Sequence, residues 1–464
     1  MTVTLVLADT VATALYQAAS DPLEVAGVLL ATVHQEREGD IRLLVRQHVM
    51  VSQDAYLKRA RDHMAIKPEG YVPALGEAEA LGAMAIWFHT HPGATGTPLP
   101  SFADADVDSA IADLFRLRSG SPYYGTLIFS PRGRGFAFSG TLQPDEGHGP
   151  VRTIDRLWIV GDRWRLLSAI DADNTPPSPI FDRNVRAFGG DIQRALSDLK
   201  VAVTGCGGTG SAVAEQLVRL GVRNLLLFDA DRLSDSNVTR VYGSTAGDVG
   251  RPKAEILRDH LTAIAPDLHC EAIDAMITLE PTARRLGDRD LVFGCTDDNA
   301  GRLVLSRLAT YLLTPVIDVG VLLSSDTSGV LTGIDGRITV LSPGSACLVC
   351  RNRIDLARAG AEVMTPTERK RLADEGYAPA LGATEPAVVA FTTAVAAAAV
   401  GEMLERLIGY GPNPRPSEIL LRIHEREIST NRAAPRPGHY CNPASNKLGA
   451  ATATPFLEQV WPKI

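Results

Sequence analysis

Between Leu199 and Gly210 the chain reads LKVAVTGCGGTG. An apolar run meets a glycine cluster, and helix-forming residues follow through Arg219. A second apolar run, Asn224–Phe228, comes next. This spacing predicts a strand–turn–helix–strand unit of about 30 residues. Glycines in such a turn let the backbone approach a phosphate, and the following helix N-terminus favours negative charge. Gly205, Gly207, Gly208 and Gly210 are therefore candidate nucleotide-binding positions. The second run ends in Asp229-Ala-Asp231, where a carboxylate commonly holds ribose hydroxyls. On these residues alone, a dinucleotide and ATP are equally compatible.

The residues further along separate the two. Ser236-Asn237-Val-Thr-Arg240 is followed by Gly250-Arg-Pro-Lys253, then by Cys295-Thr-Asp297-Asp298-Asn299 with Arg302 close behind. Hydride transfer has no use for two cations and a distal carboxylate. A triphosphate site uses cations to neutralise the phosphates and an aspartate to anchor magnesium. This set resembles the ThiF/MoeB/ubiquitin-activating superfamily of adenylyltransferases, from near Phe181 to about Ile428. The resemblance implies that Gly205, Gly207 and Gly208 line the phosphates and Asp229 binds ribose. Asn237, Arg240 and Lys253 would contact phosphates. Asp297 would coordinate Mg2+, with Asp298 as the fallback. Phe181-Asp-Arg183-Asn resembles the segment whose arginine reaches a neighbouring subunit's site, which implies a homodimer or a pseudo-symmetric partner.

Upstream, Phe88–Asp104 reads FHTHPGATGTPLPSFAD. His89 and His91 follow the apolar run AMAIW, and on a strand residues two apart face the same side. Both imidazoles can then meet one metal. Ser101 is placed to cap a helix, and Asp104 could add an oxygen ligand. Three protein ligands plus water is the open arrangement of catalytic zinc. Histidine-x-histidine-proline followed by proline-serine-x-x-aspartate resembles the JAMM motif of the JAB/MPN metalloproteases. Pro22-Leu-Glu24-Val-Ala-Gly27 resembles that family's early glutamate element. The resemblance covers about residues 1–140. It implies that His89, His91 and Asp104 hold Zn2+, that Glu24 is the general base, and that Ser101 stabilises an oxyanion. Twelve residues separate His91 from Asp104, longer than the usual family gap. The excess falls in the loop Gly93–Leu99.

Cys347-Leu-Val-Cys350 resembles the first half of the superfamily's structural zinc site. The second half is normally another CxxC. Here only Gly438-His439-Tyr-Cys441 is available, which is chemically acceptable for tetrahedral zinc; an empty site or reactive thiols are the alternatives. Ubiquitin-type relatives carry an acceptor cysteine beyond the CxxC, but residues 351–386 contain none. Cys206, Cys270 and Cys295 read as structural.

The wider chain fits this picture. The 464 residues imply two or three domains. Two turn-rich patches, Gln143–Pro150 and Asp171–Pro179, lead to a division into 1–165, a linker at 166–180, and 181–464. The fold class expected is α/β: an N-terminal mixed-sheet JAB/MPN-type domain and a C-terminal Rossmann-like, doubly wound, mostly parallel sheet. Residues 387–400 read as a buried helix, and Arg432–Pro443 as an extended proline-rich tail.

The net charge of −8, with no basic run, argues against nucleic acid. No signal peptide or bilayer-length apolar run is evident, so no membrane partner and a cytoplasmic location are expected. Six cysteines without a regular framework argue against a disulfide scaffold. The expected function is a zinc isopeptidase fused to an ATP-dependent adenylyltransferase. It would act on a ubiquitin-like, β-grasp protein with a glycine-ended C-terminus, with a conjugating enzyme or a sulfur donor as further partner. The alternatives are activation of a sulfur carrier and a non-catalytic modifier-binding module.

Overall fold

The computed structural model describes residues 2–35, 40–94, 96–133, 135–169, 177–365, 367–369 and 386–462. Of the expected linker patch only 177–179 lie within these residues, and of the cysteine-free stretch 351–386, residues 366 and 370–385 lie outside them. The chain forms two units: Met1–Thr175 with Leu448–Thr452, and Pro176–Lys447 with Ala453–Ile464.

The first unit is built on a mixed sheet. Its strands are β1 (Val3–Ala8), β2 (Ala26–His34), β3 (Ile41–Met50), β6 (Met84–Thr90), β7 (Tyr123–Arg132), β8 (Gly135–Pro144), β9 (Arg152–Thr153), β10 (Arg156–Val160) and β11 (Arg165–Ser168). They lie in the order β11-β10-β1-β3-β2-β6-β7-β8-β9, while β4 (Tyr56–Arg59) and β5 (Met64–Ile66) form a separate ribbon. The β1–β10, β1–β3 and β6–β7 pairs are parallel. Helix α1 (Asp9–Ala19) contributes Val11, Ala12, Leu15 and Ala19 to one core, with Leu5, Leu29, Phe88 and Phe129. Helices α2 (Val72–Leu81) and α3 (Phe102–Ser119) close a second core of Leu75, Ala78, Trp87, Phe115 and Tyr124. Alternation along β6 explains the division: Ile86 and Phe88 enter the first core, Ala85 and Trp87 the second. His89 continues the Ala85–Trp87 side, so it emerges on the face covered by α3.

The second unit begins with α4 (Asp182–Phe188) and α5 (Gly190–Asp198). Its sheet contains β12 (Lys200–Thr204), β13 (Asn224–Phe228), β14 (His269–Ile273), β15 (Leu291–Gly294), β16 (Val316–Ser325), β17 (Leu331–Leu341), β18 (Glu418–Arg422) and β19 (Glu427–Asn431). Their order is β14-β13-β12-β15-β16-β17-β18-β19. The first five are parallel and the last three antiparallel. Around them lie α6 (Gly208–Leu220), α7 (Lys253–Ile264), α8 (Glu280–Arg284), α9 (Asn299–Tyr311), α10 (Leu356–Glu362) and α11 (Val389–Ile408). The alanine-rich run expected to be a buried helix forms α11, which contacts α6, β16 and β17. Where Val395 of α11 crosses β17, Gly336 leaves room: a Cβ there would lie 2.4 Å from Val395 Cγ2. The carboxyl ends of β12, β13, β15 and β16 converge on one edge, where the ligand-binding crevice of an open α/β sheet is expected. No helix among the described residues is long and apolar enough to cross a membrane.

Candidate functional site

In the first unit, three ligand-type atoms converge. His89 Nε2 lies 3.1 Å from His91 Nε2 and 3.2 Å from Asp104 Oδ1, and His91 Nε2 lies 3.4 Å from Asp104 Oδ2. Tetrahedral zinc with nitrogen and oxygen ligands separates its donors by about 3.3 Å. The residues therefore fit such an ion, and the Nε2 atoms face inward as ligands would. His91 leaves the strand, but its N–H still donates to Phe129 C=O at 2.8 Å, which carries it beside β7. Asp104 is positioned by a capping box. Ser101 N–H donates to Asp104 Oδ2 at 2.7 Å, and Asp104 N–H donates to Ser101 Oγ at 3.2 Å. Burial works to raise the Asp104 carboxyl, but hydrogen bonds to His89 and His91 hold it far below the usual range.

Glu24 is 6% exposed. It precedes β2, whose Ala26 is registered opposite His89. The next pairing is kept by Thr90 N–H to Val25 C=O and Val25 N–H to Thr90 Oγ1, both 2.9 Å. Continuing this register sets Glu24 opposite His91, on the same face of the sheet. Burial raises its carboxyl above the ordinary glutamate range, while His89 and His91 pull the other way.

In the second unit, the glycine turn is held from below by Asp229. Its Oδ2 accepts Cys206 N–H at 2.6 Å and its Oδ1 accepts Asp231 N–H at 2.8 Å. Gly205 has φ +87, and a Cβ there would lie 2.7 Å from Cys295 O; at Gly210 it would lie 1.8 Å from Gly205 O. No side chain fits either place. Burial raises the Asp229 carboxyl, against Lys253 and the two N–H donors. Gly207 and Gly208 begin α6, and Arg240 packs against Gly208 while donating to Ser236 C=O at 2.9 Å. Lys253 Nζ lies 2.7 Å from Asp231 Oδ2.

Two expected contacts are modified by local structure. Asn237 is buried in a capping box with Ser234, so its side-chain oxygen already accepts Ser234 N–H at 3.3 Å. Asp298 is the N-cap of α9, accepting from Gly301 N–H and Thr296 Oγ1. Asp297 is exposed beside it. Arg183 lies exposed on α4.

Nearby features were not read from the sequence. Asp318, fully buried on β16, is bracketed by Arg302 Nε at 3.2 Å and Arg337 Nη2 at 3.0 Å. Glu362 closes the start of α9 by accepting Ala300 N–H at 2.8 Å. Neither carboxylate sits in a recognisable motif; only the long-range pairing of β15 with β16, and of α9 with α10, reveals them.

Cys347, Cys350, His439 and Cys441 form a second metal-type cluster, with all four ligand atoms within 4.8 Å of one another. Cys347 Sγ to His439 Nδ1 is 3.5 Å, His439 Nδ1 to Cys441 Sγ is 3.2 Å, and Cys350 Sγ to Cys441 Sγ is 3.6 Å. These separations fit tetrahedral zinc with long sulfur bonds. The Cys441 thiol beside it pulls Cys347 down to about 4.

An open α/β sheet with a glycine turn at the carboxyl edge of its parallel strands defines the class of the second unit. The ThiF family model matches residues 181–442, and the chain belongs to this family. It is 34% identical over 172 residues to the molybdopterin-synthase adenylyltransferase of Escherichia coli, covering 37% of this chain and 65% of that protein. It is 31% identical over 153 residues to the E. coli sulfur carrier protein ThiS adenylyltransferase, covering 33% and 57%. It is 29% identical over 196 residues to ubiquitin-like modifier-activating enzyme 5 of Caenorhabditis briggsae, covering 40% and 43%. The matched stretches thus span between under half and about two thirds of these relatives.

Proposed function

We propose that the second unit adenylates the C-terminal carboxylate of a small carrier protein of the ubiquitin-like or sulfur-carrier kind. The observation that carries this reading is the joining of Asp229, Asp231, Lys253 and Arg240 around the glycine turn. ATP enters with its ribose at Asp229 and its phosphates over the start of α6. Arg240 and Lys253 neutralise the phosphates as the carrier's carboxylate attacks the α-phosphorus and pyrophosphate leaves. Asp297, not engaged in capping as Asp298 is, would hold Mg2+, which supplies charge neutralisation of the triphosphate. Arg183 would act in the partner of a homodimer.

Within this reading, sulfur-carrier activation is favoured over ubiquitin-like conjugation. Two of the relatives named above are named as adenylyltransferases of molybdopterin synthase and of a sulfur carrier protein. The chain's own thiols agree. Burial pushes Cys270 up to about 12 and Cys206 and Cys295 also well upward, and the remaining three cysteines belong to the metal-type cluster. None is a poised acceptor for a thioester, so the acyl-adenylate would pass directly to a sulfur donor. ATP–pyrophosphate exchange with purified sulfur carriers and ubiquitin-like proteins tests this. Exchange by the wild type but not by Asp297→Ala is expected, and absence of exchange with every carrier overturns it.

The second unit's substrate suggests the first unit's. We read His89, His91 and Asp104 as a zinc site of the JAMM kind that frees the carrier's C-terminus by peptide or isopeptide hydrolysis. Zinc would supply polarisation of the scissile carbonyl and acidification of a water. Glu24, raised by burial, would take that water's proton and return it to the leaving amine. The Ser101 hydroxyl would donate to the oxyanion. Cleavage of a tail-extended carrier by wild type and not by Glu24→Gln supports this; equal rates sink it. A non-catalytic modifier-binding module would show neither activity.

A further inference from the structure

Helix α3 opens with an unusual inward face. From Ser101 to Ala110 only Asp104 and Asp108 are turned inward; their neighbours are exposed. One turn apart, these carboxylates head the same stripe that continues through Ala112 and Phe115 into the core. A carboxylate on the inner stripe of a helix is costly unless something there requires it. Asp104 has its partners in His89 and His91. Asp108 Oδ1 accepts a hydrogen bond from the fully buried Tyr124 hydroxyl at 3.0 Å, which fixes the carboxylate's position.

His89 supplies the complementary deficit. Its side chain is 6% exposed, and its Nδ1 is buried without a hydrogen-bond partner among the described residues. Its Nε2 faces His91 and Asp104. An imidazole that binds a metal through Nε2 carries its proton on Nδ1, and that N–H needs an acceptor to fix tautomer and ring orientation. The geometry points to Asp108 as this positioning residue: it takes the His89 Nδ1 proton's hydrogen bond through one water, while Tyr124 holds the carboxylate in place. His89 and Asp104 are the neighbouring side chains that act on the Asp108 carboxyl, beyond burial and the Tyr124 hydroxyl. The inference rests on the zinc reading of the His89 site.

The test is zinc binding by the full chain, measured by chelator competition with zinc equivalents counted per chain. His89→Ala marks the site, and the Cys347–Cys441 cluster serves as internal control. Asp108→Ala and Asp108→Asn are expected to weaken the His89-dependent zinc by about ten- to a hundredfold and leave the cysteine-dependent zinc unchanged. Tyr124→Phe should give a smaller loss, and Asp108→Glu should restore part of the affinity. If His89→Ala removes a zinc but both Asp108 variants, folded by circular dichroism, bind as the wild type does, the inference about Asp108 falls and the zinc reading stands. If His89→Ala removes no zinc, both fall.

Discussion

Lys253 is tied to Asp231 twice: its ammonium lies 2.7 Å from the carboxylate, and its backbone N–H donates to the Asp231 carbonyl at 3.0 Å. The lysine is nearly buried at the start of α7, whereas the aspartate side chain is 73% exposed. An ion pair with one solvated partner contributes at most about 1 kcal/mol. A triphosphate can therefore take the ammonium from Asp231 at little cost. Asp231→Asn should change the KM for ATP by less than about fivefold. Lys253→Met should lower pyrophosphate exchange by about a hundredfold. Equal effects of the two would mean that the ion pair, not the ammonium alone, is what the reaction requires.

Ser101 caps α3, and on the proposed reading it also donates to an oxyanion. As N-cap of α3, its loss in Ser101→Ala should cost about 1 kcal/mol in urea unfolding. Ser101→Asp should recover that stability, since a carboxylate also accepts Asp104 N–H. It should not recover cleavage of a tail-extended carrier, because a carboxylate cannot donate to an oxyanion. Recovery of both would reduce the serine to a cap.

Glu418 predicts an acid limb. It is buried on β18 and accepts from Arg353 at 3.0 and 2.9 Å. Burial opposes its ionisation, yet the Arg353 and Asn431 hydrogen bonds win and its carboxyl lies below the usual glutamate value. A lowered folded-state value means that its stabilisation is complete above the unfolded value and is lost as pH falls through the folded one. Glu418→Gln should cost roughly 3 kcal/mol at pH 7. The deficit should shrink as denaturation is repeated below pH 4.

The cysteine cluster predicts a stability that depends on metal. Prolonged chelation, or Cys350→Ser, should remove one zinc and lower the thermal midpoint of the second unit, while Ser in place of Cys206 leaves the zinc count intact. Unchanged zinc content in Cys350→Ser would remove that cysteine from the ligand set.

The parallel half of the second sheet was legible because its signals are local. Asn224–Phe228 is recovered residue for residue, since a βαβ unit writes strand, turn and helix contiguously. The antiparallel half was not. Ile338–Leu341 reads as a short strand, but β17 begins at Leu331, across Gly333, Asp335 and Gly336. Those residues have little strand preference, and pairing with β16 and β18 on either side holds them extended. The same logic divides the sites. HxHP and the serine cap are adjacent in sequence and could be read. Asp108 looks like any surface acid of a polar helix until Tyr124, sixteen residues on, is found against it.

The four ligand-type atoms of the cysteine cluster come from two stretches, Cys347–Cys350 and His439–Cys441, with 88 residues between Cys350 and His439. A ribosome must therefore synthesise His439 and Cys441 before this clamp can close. Until then the glycine turn can form, because its strands come earlier, but β18, β19 and the cluster cannot be completed. A stalled or clipped product would carry the glycine turn without this fastening, a fragment suited to disposal by cellular proteases rather than to work.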